Sequence, residues 1–241
     1  MYGTARPLRS MVSPMLGALL LLALTSCAPL PTRQATWNDS YQTRVAALAL
    51  LQTLNADLLS HDSATLTLER WCDAHHLAAE PRIVAERLHE SEQPASDSQR
   101  QDLRVTADEP VRHRHVRLRC GALVLSEADN WYVPGRLTAE MNRQLDSSDT
   151  PFGKVVQSLK FQRHTLNAAL LWQPLAEGWE MNAATDAATR ATAGAPPVVP
   201  SRVLQHRALL TLPDGTPISE VIETYTNAVL AFAPPKAIAA H

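Results

Sequence analysis

The chain has 241 residues, 45% hydrophobic and 19% charged, which suits one packed domain and is too apolar for a disordered chain. A formal net charge of −2 provides no basic footprint for nucleic acid, and three cysteines are too few for a disulfide scaffold. The balance of 17 prolines against 8 glycines is unusual for a domain rich in tight turns, so the chain is best read segment by segment.

Residues 1–14 carry Arg6 and Arg9 and no acid, and Met15 to Ala23 run as MLGALLLLA. That apolar run is shorter than the roughly 20 residues needed to cross a bilayer, and with its basic flank it reads as a secretory signal. Leu24-Thr25-Ser26-Cys27 resembles the lipobox of bacterial lipoproteins. The resemblance implies cleavage before Cys27, diacylation of its thiol and a membrane anchor worth about 0.8 kcal/mol per buried methylene. Ala28, a residue other than Asp after the cysteine, implies the outer membrane, with the protein facing the periplasm. The expected organisation is a signal peptide over 1–26, a polar tether over 27–40, a domain over 41–232 and an Ala/Pro-rich tail over 233–241. With Cys27 lipidated, Cys72 and Cys120 remain. In an oxidising compartment they form one disulfide or stay as two buried thiols, and both readings stand.

Apolar residues at helical spacing predict a helix over 41–59. Ser60 to Ser63 breaks it, and Asp62 or Ser63 caps the next element. Residues 64–78 alternate at first and then turn ambiguous, 81–88 suit a strand, and the polar stretch 91–103 reads as a loop. His113 to Arg119 alternates, Cys120-Gly121 offers a turn, and 123–133 reads as a second strand ended by Pro134-Gly135, so the two form an antiparallel hairpin. A helix over 136–147 comes next, then a helical stretch opened by Thr150-Pro151-Phe152-Gly153, then a strand over 161–172. Residues 181–200, rich in Ala, Thr and Pro, read as a flexible insertion. The apolar runs 202–212 and 217–229 flank Pro213-Asp214-Gly215-Thr216, a strong hairpin signal. The sum is an α+β domain built on an antiparallel sheet, without a βαβ rhythm.

No phosphate loop, G-x-S-x-G or H-E-x-x-H motif is present. His113 and His115 share one strand face and Cys72-x-x-His75-His76 forms a short cluster, but neither supplies the three or four ligands of a metal site, so no metal is expected. The alternation places Arg112 and Arg114 on the face of Val116 and Leu118. An arginine there is costly unless it meets an anion or escapes around a sheet edge. Glu220 and Glu223, three apart in a strand, face opposite ways, one to solvent and the other inward.

An ordered set of residues then suggests a family. It comprises Asp62-Ser63, Arg114-x-Val116-x-Leu118, Tyr132-Val133-Pro134, Thr150-Pro151-Phe152-Gly153, Phe161-x-Arg163, Gly215-Thr216-Pro217 and Glu223-x-Tyr225. Over about residues 45–230 it resembles chorismate lyases and their relatives, whose fold also serves as the ligand-sensing domain of some transcription regulators. The resemblance implies an antiparallel sheet with helices enclosing a ligand pocket, and cofactor-free elimination of pyruvate from chorismate to give 4-hydroxybenzoate. It implies Arg114 as the partner of the ring carboxylate, a role that suits a guanidinium fork. It further implies Glu223 as the essential carboxylate, with Glu220 as fallback, and contact between the ligand and the backbone at Phe152 and Gly153. The alternative is a noncatalytic envelope lipoprotein that binds an aromatic carboxylate, since an exported protein would meet little chorismate. A monomer with a small-molecule partner, a membrane anchor and no nucleic acid is expected under both readings.

Overall fold

The computed structural model describes residues 1–3, 37–88, 93–181 and 198–235. The expected signal peptide, Cys27 and its lipid lie outside these residues, as do most of the tether, 182–197 of the insertion and 236–241 of the tail. The chain divides into two units, Met1–Arg33 and Gln34–His241, and the elements belong to the second.

Helix α1 (Tyr41–Leu59) begins at a capping box in which Ser40 and Thr43 satisfy each other's backbone N–H. It buries Ala47, Leu51, Leu54 and Leu58, one stripe at helical spacing. Trp37, four residues ahead of it, also packs into the core. Helix α2 (Ala64–Ala74) is capped by Ser63, whose hydroxyl accepts from the Leu66 N–H, and it resolves the ambiguous stretch 64–78 in favour of helix. Strand β1 (Ile83–Arg87) comes after it. The stretch read as a loop contains a short helix, α3 (Asp97–Asp102), because Ser96 and Gln99 form a second capping box and Leu103 anchors its end in the core.

Strands β2 (Arg112–Cys120) and β3 (Leu123–Tyr132) form the expected hairpin. Its turn needs Gly121, which sits at φ +55°; a Cβ there would stand 2.9 Å from the Ala78 Cβ. Helix α4 (Ala139–Ser147) starts three residues later than expected, after a 3₁₀ turn over Pro134–Arg136. The Pro151 start produces a single helical turn, α5 (Phe152–Val155). Strand β4 (Gln162–Leu170) is next, then the hairpin β5 (Arg202–Thr211) and β6 (Pro217–Thr226), whose turn places Gly215 at φ +83° while Asp214 accepts from the Thr216 N–H.

The strands form one antiparallel sheet in the order β1-β2-β3-β6-β5-β4. This is the α+β architecture that the sequence implies. Arg114 lies beyond the last β1–β2 pair, Arg87 with Val116, yet it is buried, so it does not reach solvent around that edge. Helices α1 and α2 bury Leu51, Leu68 and Trp71 against Val116, Leu118, Val221 and Tyr225. Helices α4 and α5 bury Met141, Leu145 and Phe152 against Tyr132, Leu210 and Ile218. A disulfide joins Cys72 of α2 to Cys120 at the end of β2, and both cysteines are fully buried.

A smaller cluster forms around Leu103, Trp131 and Val133. His113 packs at a tilt against Trp131 and shares a 2.9 Å hydrogen bond with Asp129, while His75 stacks on Phe232 and packs at a tilt against Trp71. Among the described residues no group of three His, Cys, Asp or Glu is placed to hold a metal. Neither Glu220 nor Glu223 faces solvent, which corrects the expectation for one of them. Glu220 is fully buried because Arg207 covers it at 2.8 Å and bridges on to Asp102 of α3.

Candidate functional site

Where the start of α2, the α5 turn and the centre of the sheet meet, the packing leaves a small open-mouthed cavity, with about 50 Å³ of space for the centre of a water-sized molecule. The cavity brings together Arg114 of β2, Glu223 of β6, and Phe152 and Gly153 of α5, which are far apart in the chain. Its walls are largely apolar, from Val116, Leu118, Phe161, Leu210 and Val221. Gly153 lets α5 approach α2: a Cβ there would lie 3.3 Å from the Ser63 hydroxyl and 3.5 Å from that of Thr65. Lys154 and Glu69, 2.5 Å apart, hold the two helices together.

Arg114 is 3% exposed. One of its terminal nitrogens donates, at the long distances of 3.5 and 3.3 Å, to the carbonyls of Ser148 and Thr150. Its Nε is buried without a partner, and no carboxylate among the described residues pairs with it. Burial above all, and then the nearby Arg87, pull its pKa down to about 10, so at neutral pH it remains a cation. Directly across the ladder stands Asn130, also buried and lining the cavity. Its carbonyl oxygen accepts from the Ser219 hydroxyl, so its amide hydrogens are what it offers a ligand.

On the opposite wall the charges are paired, although the Arg163 Nε, like that of Arg114, is buried without a hydrogen-bond partner. Arg163 of β4 donates to Glu223 Oε2 at 2.6 Å, with side chains only 4% and 8% exposed. The Tyr225 hydroxyl donates to the same oxygen at 3.1 Å. Burial alone would lower the Arg163 pKa, but the Glu223 carboxylate outweighs it and raises the value. Tyr225 is pushed well above its usual range by burial and by the adjacent Glu223 charge. At the mouth, Asp62 accepts from the Arg163 backbone N–H.

His206 of β5 lies beside Glu223 in the ladder, with its Nε2 2.8 Å from the Asn55 side-chain oxygen and its ring edge-on to Tyr225. Burial and then the Arg163 charge pull its pKa down to about 4, against the opposing pull of Glu223. The unfolded chain takes up this proton near pH 6.5 and the folded chain only near pH 4. The stability His206 confers is therefore complete above pH 6.5 and lost as the pH falls towards 4, about 3 kcal/mol in all. Urea denaturation of His206→Gln should show a flatter loss of stability between pH 6.5 and 4 than the unaltered chain. Parallel slopes would show that His206 is not buried neutral.

Sequence reading named Arg114, Glu223, Phe152 and Gly153, all four of which line this cavity. It missed Asn130 and His206. Asn130 had a local signal, since alternation places it with Ala128 and Tyr132 on the inward face. Arg163 entered only as a motif residue, without its carboxylate partner.

No family profile matches the sequence. The chain is 49% identical over 221 residues to a protein of Sinorhizobium fredii (strain NBRC 101917 / NGR234), "Uncharacterized protein y4mC", and the match covers 90% of this chain and 92% of that one. Among solved structures it is similar to PhnF from Mycobacterium smegmatis, with a TM-score of 0.44 at 14% identity, over 76% of this chain and 71% of that one. The effector domain of PhnF gives 0.42 at 14% identity, over 68% and 88% of the two chains. A GntR-family transcriptional regulator from Enterococcus faecalis V583 gives 0.38 at 11% identity, over 63% and 99%.

Proposed function

The chain belongs to the same family as protein y4mC of Sinorhizobium fredii, and from that premise we propose that its domain is a receptor for a small organic acid held at Arg114. One observation carries this reading: a buried guanidinium faces a largely apolar cavity with no carboxylate among the described residues in direct contact with it. A ligand carboxylate supplies the missing charge through short charge-assisted hydrogen bonds, and the Asn130 amide stands beside it. Phe152 and Phe161 suit an aromatic body. Calorimetric titration of the purified chain with benzoate and 4-hydroxybenzoate tests the reading. Saturable one-to-one binding is expected, and no heat or thermal shift with any aromatic acid would sink it.

A second reading, elimination of pyruvate from chorismate, draws on the presence of Glu223 in the same cavity as Arg114. In that reaction Arg114 holds the ring carboxylate, and a dry cavity positions the ring for aromatisation as the enolpyruvyl ether departs. The Arg163 guanidinium and the Tyr225 phenol already occupy Glu223 Oε2, an arrangement better suited to bracing a wall than to delivering a proton. Appearance of 4-hydroxybenzoate from chorismate, absent with Arg114→Ala, would favour the lyase.

We further propose that Cys27 carries a lipid anchor in the cell envelope. The basic and apolar leader supports this, and the Cys72–Cys120 disulfide suits an oxidising compartment. Cys27→Ala should move the protein from the membrane to the soluble fraction; an unchanged distribution would overturn the anchor.

A further inference from the structure

The charges around the cavity do more than attract an anion; they count its charges. On one side stands Arg114, buried and without a counter-ion among the described residues. On the other stands Arg163, whose charge Glu223 already cancels at 2.6 Å in a nearly dry setting. Arg114 and Glu223 sit on β2 and β6, with β3 between them, so their strands are about 10 Å apart, a span that a single ring with substituents at both ends can bridge.

We infer that the cavity selects acids with a single negative charge and rejects diacids, and that Glu223 is the residue that sets this limit. The inference rests on the receptor reading and adds the class of ligand to it. A second carboxylate reaching across from Arg114 meets the Glu223 carboxylate and, among the described residues lining the cavity, finds no free cation. Glu223 cannot swing aside, because Arg163 and the Tyr225 hydroxyl both hold the same oxygen and the residue is 6% exposed. His206 adds no positive charge at neutral pH, and Asp62 at the mouth adds a further negative one. An uncharged hydroxyl or amide at that end meets no such penalty, since it can donate to a carboxylate and accept from a guanidinium.

The test compares terephthalate with 4-carbamoylbenzoate, which have the same shape and length and differ by one charge. Titrated into the full chain at pH 7, the monoanion should bind at least about tenfold more tightly. Equal affinity, or tighter binding of the diacid, would overturn the inference and leave the receptor reading intact. Binding of neither would overturn both. Glu223→Gln removes the opposing carboxylate and frees Arg163, so the affinity for terephthalate relative to 4-carbamoylbenzoate should rise at least about tenfold. An unchanged diacid affinity in a folded variant would overturn the role given to Glu223. If that variant fails to fold, the comparison on the unaltered chain still decides the selectivity.

Discussion

Arg114→Met should unfold at a higher temperature than the unaltered chain when no ligand is present, and should bind benzoate about a hundredfold more weakly. The two effects have one cause. A guanidinium 3% exposed, with an unpartnered Nε, no directly paired carboxylate among the described residues and only the more distant Asp146 to offset it, has lost hydration for little counter-charge. Its two bonds to the Ser148 and Thr150 carbonyls are long and return little of that loss. Methionine fills similar space without charge, and replacing even paired buried ions with apolar groups of similar volume is often neutral or stabilising by about 1–4 kcal/mol. The same exchange removes the cation that a ligand carboxylate would meet, and losing one side of a buried charge pair costs about 2–5 kcal/mol of binding. Arg114→Lys should fall between, because it keeps the charge and loses the fork. The measurements are thermal unfolding and calorimetric titration of the same samples. A methionine variant that melts lower would show that the carbonyl bonds outweigh the cost of burial, and Arg114 would then need no anion to account for it.

The second large effect concerns the disulfide. Cys72 and Cys120 are 48 residues apart, and closing a loop of that length restricts the unfolded chain by about 4 kcal/mol. Replacing both with alanine should lower the unfolding temperature by about 10 °C or more. Reductant should produce a similar fall in the unaltered chain and none in the double variant. A double variant of unchanged stability would mean that the bridge restricts nothing the core does not already restrict. The bridge also matters for the cavity: it ties α2, whose first turn forms one wall, to β2, which carries Arg114.

Much of the frame was legible in local sequence. Period-two alternation over 113–119 placed Arg114 with Val116 and Leu118, and Asp214-Gly215 announced the β5–β6 turn. The helix over 41–59 was legible from one apolar stripe. The short helix α3 was not, because its signal is a pair of polar residues, Ser96 and Gln99, in a stretch whose composition reads as loop. The expectation that one of Glu220 and Glu223 meets solvent failed for a related reason. The two do face opposite ways, but Glu220's side of the sheet is covered by a distant stretch of chain that includes Asp102, which shares Arg207 with it.

By itself the sequence determined which residues point inward, where the chain turns and which chemical groups are available to the cavity. All of this comes from spacing, caps and turn residues within a few positions of each other. The tertiary structure decided which of those groups remain unpaired. The order β3-β6-β5-β4 brings Arg163 to Glu223 across 60 residues and neutralises it, while the segment between α4 and α5 covers Arg114 with carbonyls at Ser148 and Thr150 and no paired carboxylate among the described residues. Strand order arises from long-range packing, which no local period encodes. Two arginines that look alike in the sequence therefore end as a braced wall and as the charge that waits for a ligand.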